Sequence, residues 1–242
     1  MNKLNYDMRH YFLLLAITFT CISCSTDSTT GNGLTDVDGH EYETVVIGGQ
    51  EWMAENLRTR HYRNGTEIPN VPKDNWREIR SGAWISFDEL SSNDEIYGKI
   101  YNGYAVMDSR GLCPDDWRLP KIEDWEELFN YIGFEDLNKL KATPPLWDGT
   151  DDYGFTAIPA GRLTNTARSA GDQNWRFIDS GLHAYWWAEA SSNISEAWGQ
   201  YMKFQEVDVE SLNDHFSEIE PFDLIRSGSL KIYGYYVRCI RD

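Results

Sequence analysis

The sequence predicts an α+β domain with two central helices, short strands and long loops, carried behind an N-terminal export signal. Three observations carry that reading. An amphipathic helix pattern over residues 122–132 stands mid-chain, with a shorter one behind it. Short β-branched and aromatic blocks, bounded by glycine, proline and asparagine, lie on both sides of it. A brief apolar run behind two cations opens the chain.

Lys3 and Arg9 form a positive n-region, and residues 11–20 are an apolar run too short for the ~20 residues that span a bilayer. The run ends in Cys21-Ile22-Ser23-Cys24. A small residue before a cysteine resembles the lipobox of bacterial lipoproteins, whose cysteine becomes the acylated first residue. Cys24 follows Ser23 and fits. Cys21 follows Thr20 and fits less well, and it stands where that motif usually has Leu. The expected division is a signal peptide over 1–23, lipidation at Cys24, a Ser/Thr/Asp/Gly/Asn tether over 24–35 and one domain over 36–242. An ordinary secretory signal is the alternative. Several acyl chains would anchor the protein stably in a membrane.

The net charge is −17, and removing the signal makes it more negative still. That excludes nucleic acid, whose binders need basic patches, and argues against docking on an anionic lipid surface. Aromatic residues make up 14% of the chain, with 10 Trp and 14 Tyr. Outside the cell such a load points to sugar stacking, although most of these rings belong in a core.

Within the domain, residues 42–47 and 50–53 flank Gly48-Gly49 and read as a β-hairpin. Residues 62–95 read mostly as loops, with a strand near 83–87. Residues 97–107 read as a central strand. Ile122, Trp125, Leu128, Phe129 and Ile132 share one helix face, acids fill the other face, and Gly133 ends the helix. A second helix at 135–141 uses Leu137 and Leu140. Strands are expected at 154–161, 184–188, 198–204 and 233–240. Residues 205–228 read as an inserted acidic hairpin or flap.

With Cys21 and Cys24 assigned to the export segment, Cys113 and Cys239 are the one pair left for the domain. Export to an oxidising compartment predicts a disulfide between them. No zinc spacing remains.

Several ordered blocks resemble the Fibrobacter succinogenes major paralogous domain family. They are Gln50-Glu51-Trp52-Met53-Ala54-Glu55-Asn56-Leu57, Gly98-Lys99-Ile100-Tyr101-Asn102-Gly103-Tyr104, Cys113-Pro114-Asp115-Asp116-Trp117-Arg118-Leu119-Pro120, and Gly234-Tyr235-Tyr236-Val237-Arg238-Cys239. The resemblance implies a C-type-lectin-like domain of short, mostly antiparallel strands, a fold shared with formylglycine-generating enzymes. It also implies termini that lie close together, which suits a Cys113–Cys239 bridge. Two departures stand out. Gly103 sits where the family often has Trp, and Lys121 sits where Ser or Thr would cap the helix.

No catalysis is expected. Formylglycine-generating enzymes need free cysteines, and no Gly-x-Ser-x-Gly elbow is present. No cofactor is expected either. The turn Asp148-Gly149-Thr150-Asp151-Asp152 has calcium-type ligands in Asp148, Asp151 and Asp152, although a plain acidic turn is the simpler reading. Trp76, Trp147 and Trp175 sit in polar, turn-rich sequence and are expected as exposed ligand platforms. Trp187 should point opposite to Trp186 on its strand and joins them as a candidate. Trp52, Trp117, Trp125, Trp186 and Trp198 are expected in the core. The function expected from all this is a non-catalytic, cell-surface, outer-membrane lipoprotein that binds glycan or peptide. The alternative is an accessory subunit of an outer-membrane nutrient transporter.

Overall fold

The computed structural model describes residues 33–165, 174–189, 198–205 and 227–242. The expected export segment, Cys24, and most of the expected tether and of the expected 205–228 insertion lie outside them.

The chain opens with β1 (Leu34–Thr35) and β2 (Glu41–Tyr42), an antiparallel pair across an Asp36–His40 turn. Then β3 (Thr44–Ile47) and β4 (Gln50–Met53) form the expected hairpin, with Ile47 opposite Gln50. Gly48 and Gly49 both have positive φ, 60° and 87°, as a tight primed turn requires. A Cβ on Gly48 would also lie 2.8 Å from the Tyr131 ring.

The loop-rich stretch that follows holds β5 (Trp84–Ser86) and the single-turn helix α1 (Asp94–Tyr97). The strand expected over 97–107 stops early. It is β6 (Lys99–Asn102), followed at once by the one-turn helix α2 (Gly103–Val106). Asn102 causes the change. Its buried Oδ1 accepts the Ala105 N–H at 2.9 Å, which caps the helix, and the Ala83 N–H at 3.1 Å. Gly103 is explained as well. A side chain there would meet Lys231 Cα at 2.8 Å and the Trp187 ring at 3.1 Å.

Next come β7 (Trp117–Arg118) and α3 (Ile122–Ile132), whose five apolar-face residues are all buried. Gly133 ends α3 at φ 90°. The second helix is a 3₁₀ segment over Phe134–Leu140, with Leu137 and Leu140 inside. The remaining strands are β8 (Arg162–Asn165), β9 (Trp175–Ile178), β10 (His183–Ala188), β11 (Trp198–Gln205), β12 (Ser227–Leu230), β13 (Gly234–Tyr235) and β14 (Ile240–Arg241). Every pairing between these strands is antiparallel, in sheets ordered β1-β2, β3-β4-β14-β7, β5-β6-β13-β8-β9 and β10-β11-β12. The domain is therefore α+β, with few helices.

Two expected strands are corrected. Residues 154–161 form no strand, only a bridge between Ala157 and Lys141. Thr156 has φ 52° and gives its N–H to Asp151, and the carbonyls of Phe155 and Thr156 face Arg238, so no ladder can form there. Residues 233–240 hold two short pieces in different sheets. The chain between them crosses from one sheet to the other, with Tyr236 bonding β10 and Val237 and Cys239 accepting from Leu57 and Met53.

Two buried clusters result. One centres on Trp52, Trp125, Phe155 and Trp186, with Trp52 4.6 Å and Trp186 5.2 Å from Trp125. The other holds Tyr101, Tyr185, Trp187, Tyr235 and the Cys113–Cys239 disulfide. Strand β10 divides them, because its side chains alternate. Ile240 pairs with both Trp52 and Arg118, so the N-terminal hairpin and the last strand share one sheet.

The disulfide links Cα atoms 5.9 Å apart across a sequence separation of 126. Loop closure on that scale constrains the unfolded chain by on the order of 4–5 kcal/mol. A Cys113→Ala/Cys239→Ala double variant is expected to lose roughly 3–5 kcal/mol in urea unfolding. A loss under about 1 kcal/mol would show that the bridge contributes little.

Alkaline behaviour is expected as well. Burial, aided by nearby acids, raises the phenols of Tyr42, Tyr101 and Tyr236 well above their usual range. A folded pKa raised above the unfolded ~10 gives stability that is present below pH ~10 and lost above it. Each such tyrosine costs about 1.4 kcal/mol per pH unit there. Arg238, lowered to about 9 by burial, acts in the opposite sense as a single group. Urea midpoints measured from pH 8 to 11.5 should fall steeply past pH 10.

Candidate functional site

A cleft of about 560 Å³ opens above the disulfide. Its walls come from the loop after α2, from the segment joining β7 to α3, and from the end of β10. Its charged lining residues are Arg63, Asp108, Arg118, Lys121 and Glu189, and Cys113 contributes from the disulfide. Met107 and Leu119 supply apolar wall. No aromatic ring lines it among the described residues.

Each charge has an identifiable support. Arg63 donates from Nε to the Cys113 carbonyl at 2.7 Å and from Nη2 to the Trp117 carbonyl at 2.8 Å. It thereby ties the Cys113–Trp117 loop to the 62–66 turn. Asp108 grips Arg110 in two bonds of 2.8 and 2.7 Å, and that contact holds its carboxyl below the usual carboxylate range. Arg118 reaches both oxygens of Asp124, at 2.5 and 2.9 Å. Asp124 Oδ2 also accepts the Lys121 N–H at 2.6 Å, closing the first turn of α3. Burial works to raise the Asp124 carboxyl, and these bonds outweigh it and hold it low. Lys121 itself cannot accept a hydrogen bond, so the Asp124 half of a capping box stands here without its Ser/Thr half. Glu189 follows β10, and its N–H bonds the Pro120 carbonyl at 2.8 Å.

Three of the four expected tryptophan platforms are corrected. Trp76 is 0% exposed, Trp175 is 5% and Trp187 is 0%. The polar neighbours of Trp76 lie on a 3₁₀ turn, Lys73–Glu78, that turns the ring inward, where its Nε1 donates to the Ile232 carbonyl at 2.6 Å. Trp175 packs edge-on against Tyr233. Trp187 does point opposite to Trp186, but into the second core rather than to solvent, with Nε1 on the Tyr101 carbonyl. Trp147 is half-buried, with the Lys141 ammonium 5.0 Å from its ring. Trp52, Trp117, Trp125 and Trp186 are in the core as expected. The side chain of Trp198 lies outside the described residues.

The acidic turn does not converge. The Asp148 side chain is 64% exposed and pairs with Lys141 at 3.2 Å. Asp151 caps Thr156 through its N–H and hydroxyl, and Asp152 is exposed. Among the described residues, the group close enough to share an ion is instead Asp36, Asp38 and His40. Its oxygens are already engaged. Asp36 accepts the N–H groups of Asp38 and His40 on one oxygen, and the Tyr42 hydroxyl on the other, where His40 Nδ1 lies at 3.0 Å. Asp38 accepts from Thr59 and Arg60 and pairs with His61. The donor set fits a capped turn rather than a cation.

Sequence reading missed the cleft residues Arg63, Lys121 and Glu189. Lys121 did leave a signal, as the cation standing where a helix cap was expected.

Residues 45–241 match the family described as the Fibrobacter succinogenes major domain. The chain belongs to that family. No curated protein and no solved structure matches it. Every residue lining the cleft, from Arg63 to Glu189, lies inside the family domain.

Asp124 serves the helix start and Arg118 together, so Asp124→Ala is expected to cost about 1–3 kcal/mol at pH 7. Its folded pKa is depressed, so this stability is present above the unfolded value near 4 and is lost as pH falls through the folded value. In urea unfolding, the gap between wild type and variant should close below about pH 3. A pH-independent gap would assign the loss to packing instead.

Proposed function

We propose that this chain is a lipid-anchored cell-envelope module, acylated at Cys24, that binds a ligand without catalysis in the cleft beside the disulfide. The lectin-like version of its α+β fold suits this reading, because loops of differing length can then vary over a frame whose two ends are paired. The cleft carries the proposal. It is concave, of a volume typical of ligand sites, and lined by apolar walls with a few fixed charges. Its carboxylate Asp108 and its guanidinium Arg118 are each engaged in structural pairs, an arrangement suited to recognition rather than to proton transfer.

The expected result on glycan and peptide arrays is binding by the full chain that Met107→Trp abolishes, since the indole fills the cleft. Stability of that variant should stay within about 1 kcal/mol of wild type. Arrays silent for the wild type, together with a stoichiometric outer-membrane partner in native pull-downs, would make the chain an accessory subunit instead. Palmitate labelling that survives Cys24→Ala would overturn the anchor assignment.

A further inference from the structure

Tyr131 is a large ring on the solvent side of its helix. The buried face of α3 carries Ile122, Trp125, Leu128, Phe129 and Ile132. Tyr131 instead continues the exposed row of Glu123 and Glu127, each four residues from the last, and it is 51% exposed. A single exposed ring is ordinary. This one is held from two sides. Its base rests on the backbone of Gly48, where a Cβ would come within 2.8 Å of Cγ and 2.9 Å of Cδ2. Tyr153 meets it edge to face, with ring centroids 6.4 Å apart and planes at 66°. Tyr153 is half-buried and packs against the Trp52–Trp125 core. The two rings thus form a corner of fixed angle on the surface.

The rim of that corner is polar. Lys139 pairs with Asp136 at 2.9 Å, and its ammonium is also stabilised by the Tyr153 phenol and the exposed Asp152. The loop bearing Tyr153 is anchored on the segment before it. There the Gly149 N–H bonds the Ala142 carbonyl and the Thr150 N–H bonds the Asn138 carbonyl, both at 3.1 Å. An aromatic face is negative at its centre and attracts the weakly positive C–H face of a sugar ring. Carboxylates accept hydrogen bonds from sugar hydroxyls, and an ammonium donates to them. The cleft beside the disulfide offers no ring for such stacking among the described residues. The net charge of −17 adds a limit, since it repels uronic and sulfated sugars.

We infer that the Tyr131–Tyr153 corner is a second binding site, which stacks a neutral sugar unit of an oligosaccharide or polysaccharide. It lies in the last turn of α3, about 15 Å along the helix from Lys121 in the cleft, and it stands whether or not the cleft holds a ligand. A cleft surrounds most of its ligand, whereas a corner covers one side of it. The affinity expected is therefore about 1 mM, too weak to survive the washing of an array. Arrays with Met107→Trp thus report on the cleft, and the corner is read in solution.

The test is saturation-transfer NMR of the full chain, in a detergent without a sugar headgroup, against neutral oligosaccharides of glucose, xylose, mannose and galactose. Oligosaccharides of galacturonic acid are the charged control. The expected result is binding of at least one neutral series at about 1 mM, weakened about ten-fold by Tyr131→Ala, as the loss of one aromatic contact predicts. Met107→Trp should leave it unchanged. Tyr131→Phe keeps the ring and should keep the binding. Ring signals of Tyr131, assigned by their loss in that variant, should shift as sugar is added to the wild type. Because Tyr131 is exposed, Tyr131→Ala should keep the wild-type urea midpoint, measured in parallel. Neutral-sugar binding that ignores Tyr131→Ala and leaves the Tyr131 signals in place overturns the inference. If that binding is instead lost in Met107→Trp, the sugar sits in the cleft and the cleft reading stands alone. Equal binding of the charged control overturns the assignment of a neutral sugar. No transfer to any neutral sugar at about ten times the expected dissociation constant overturns the inference and leaves the cleft untouched.

Discussion

The last seven residues hold the domain together, and Arg238 is the group that commits them. Its side chain is fully buried and forms no direct pair with a carboxylate among the described residues. It donates instead to the carbonyls of Phe155 and Thr156 and to Asn56 Oδ1, and lies over the rings of Phe155 and Trp186 at 4.4 and 5.4 Å. Burial pushes the guanidinium down to about 9, with Asp151 and Glu55 opposing that shift, so it remains a cation at neutral pH. A buried cation survives only where its surroundings are arranged around it. The irregular path of residues 154–161 is that arrangement. Its carbonyls are turned toward Arg238 instead of into a strand ladder. Asn56 completes the set, and it shares its Oδ1 with the indole of Trp186.

Residues on either side of Arg238 carry the same constraint outward. Tyr236 pairs with β10, Cys239 bonds Cys113, and Ile240 lies between β4 and β7. Three sheets are thus connected through one short extended segment. Alternation then separates its contacts, with Tyr236 and Ile240 facing the Trp52–Trp125 cluster and Tyr235, Val237 and Cys239 facing the other. The large aromatic content is explained by this plan. Two cores divided by a thin sheet need many large flat side chains, and β10 supplies Trp186 to one and Trp187 to the other.

Local signals were the legible part of the sequence. The Gly48-Gly49 hairpin, α3 with its five-residue face, the Gly133 stop, the Cys113–Cys239 bridge and β10 all rest on patterns complete within about a dozen residues or on simple cysteine counting. What could not be read depended on distant partners. Trp76 lies in a polar string, but a carbonyl at Ile232 fixes its ring, 156 residues away. Residues 154–161 have strand composition, and it is Arg238 that denies them a ladder. The 97–107 stretch looks continuous until Asn102 turns its side chain back to cap α2. The cleft was hidden for the same reason, since Arg63, Lys121 and Glu189 converge only through the fold.

The cleft inherits its rigidity from the same segment. Cys113 lines it and is covalently fixed to Cys239, whose carbonyl bonds Met53 in β4. Arg63 clamps the loop that follows, and Asp124 fixes Arg118 at the start of α3. Each of these groups is already ordered before any ligand arrives. A site built this way gives up little side-chain entropy on binding, so a modest number of contacts can suffice. Lys121 and Glu189 are the exposed charges left outside those tethers; Lys121 follows Pro120 in the chain, and the Pro120 carbonyl accepts the Glu189 N–H at 2.8 Å. Their separation is therefore set by the frame while their charges stay available. Neither head is closed in a direct pair among the described residues, yet each acts on the ion pair at the start of α3, Glu189 on the Arg118 guanidinium and Lys121 on the Asp124 carboxylate, so the spacing of all four charges is set together.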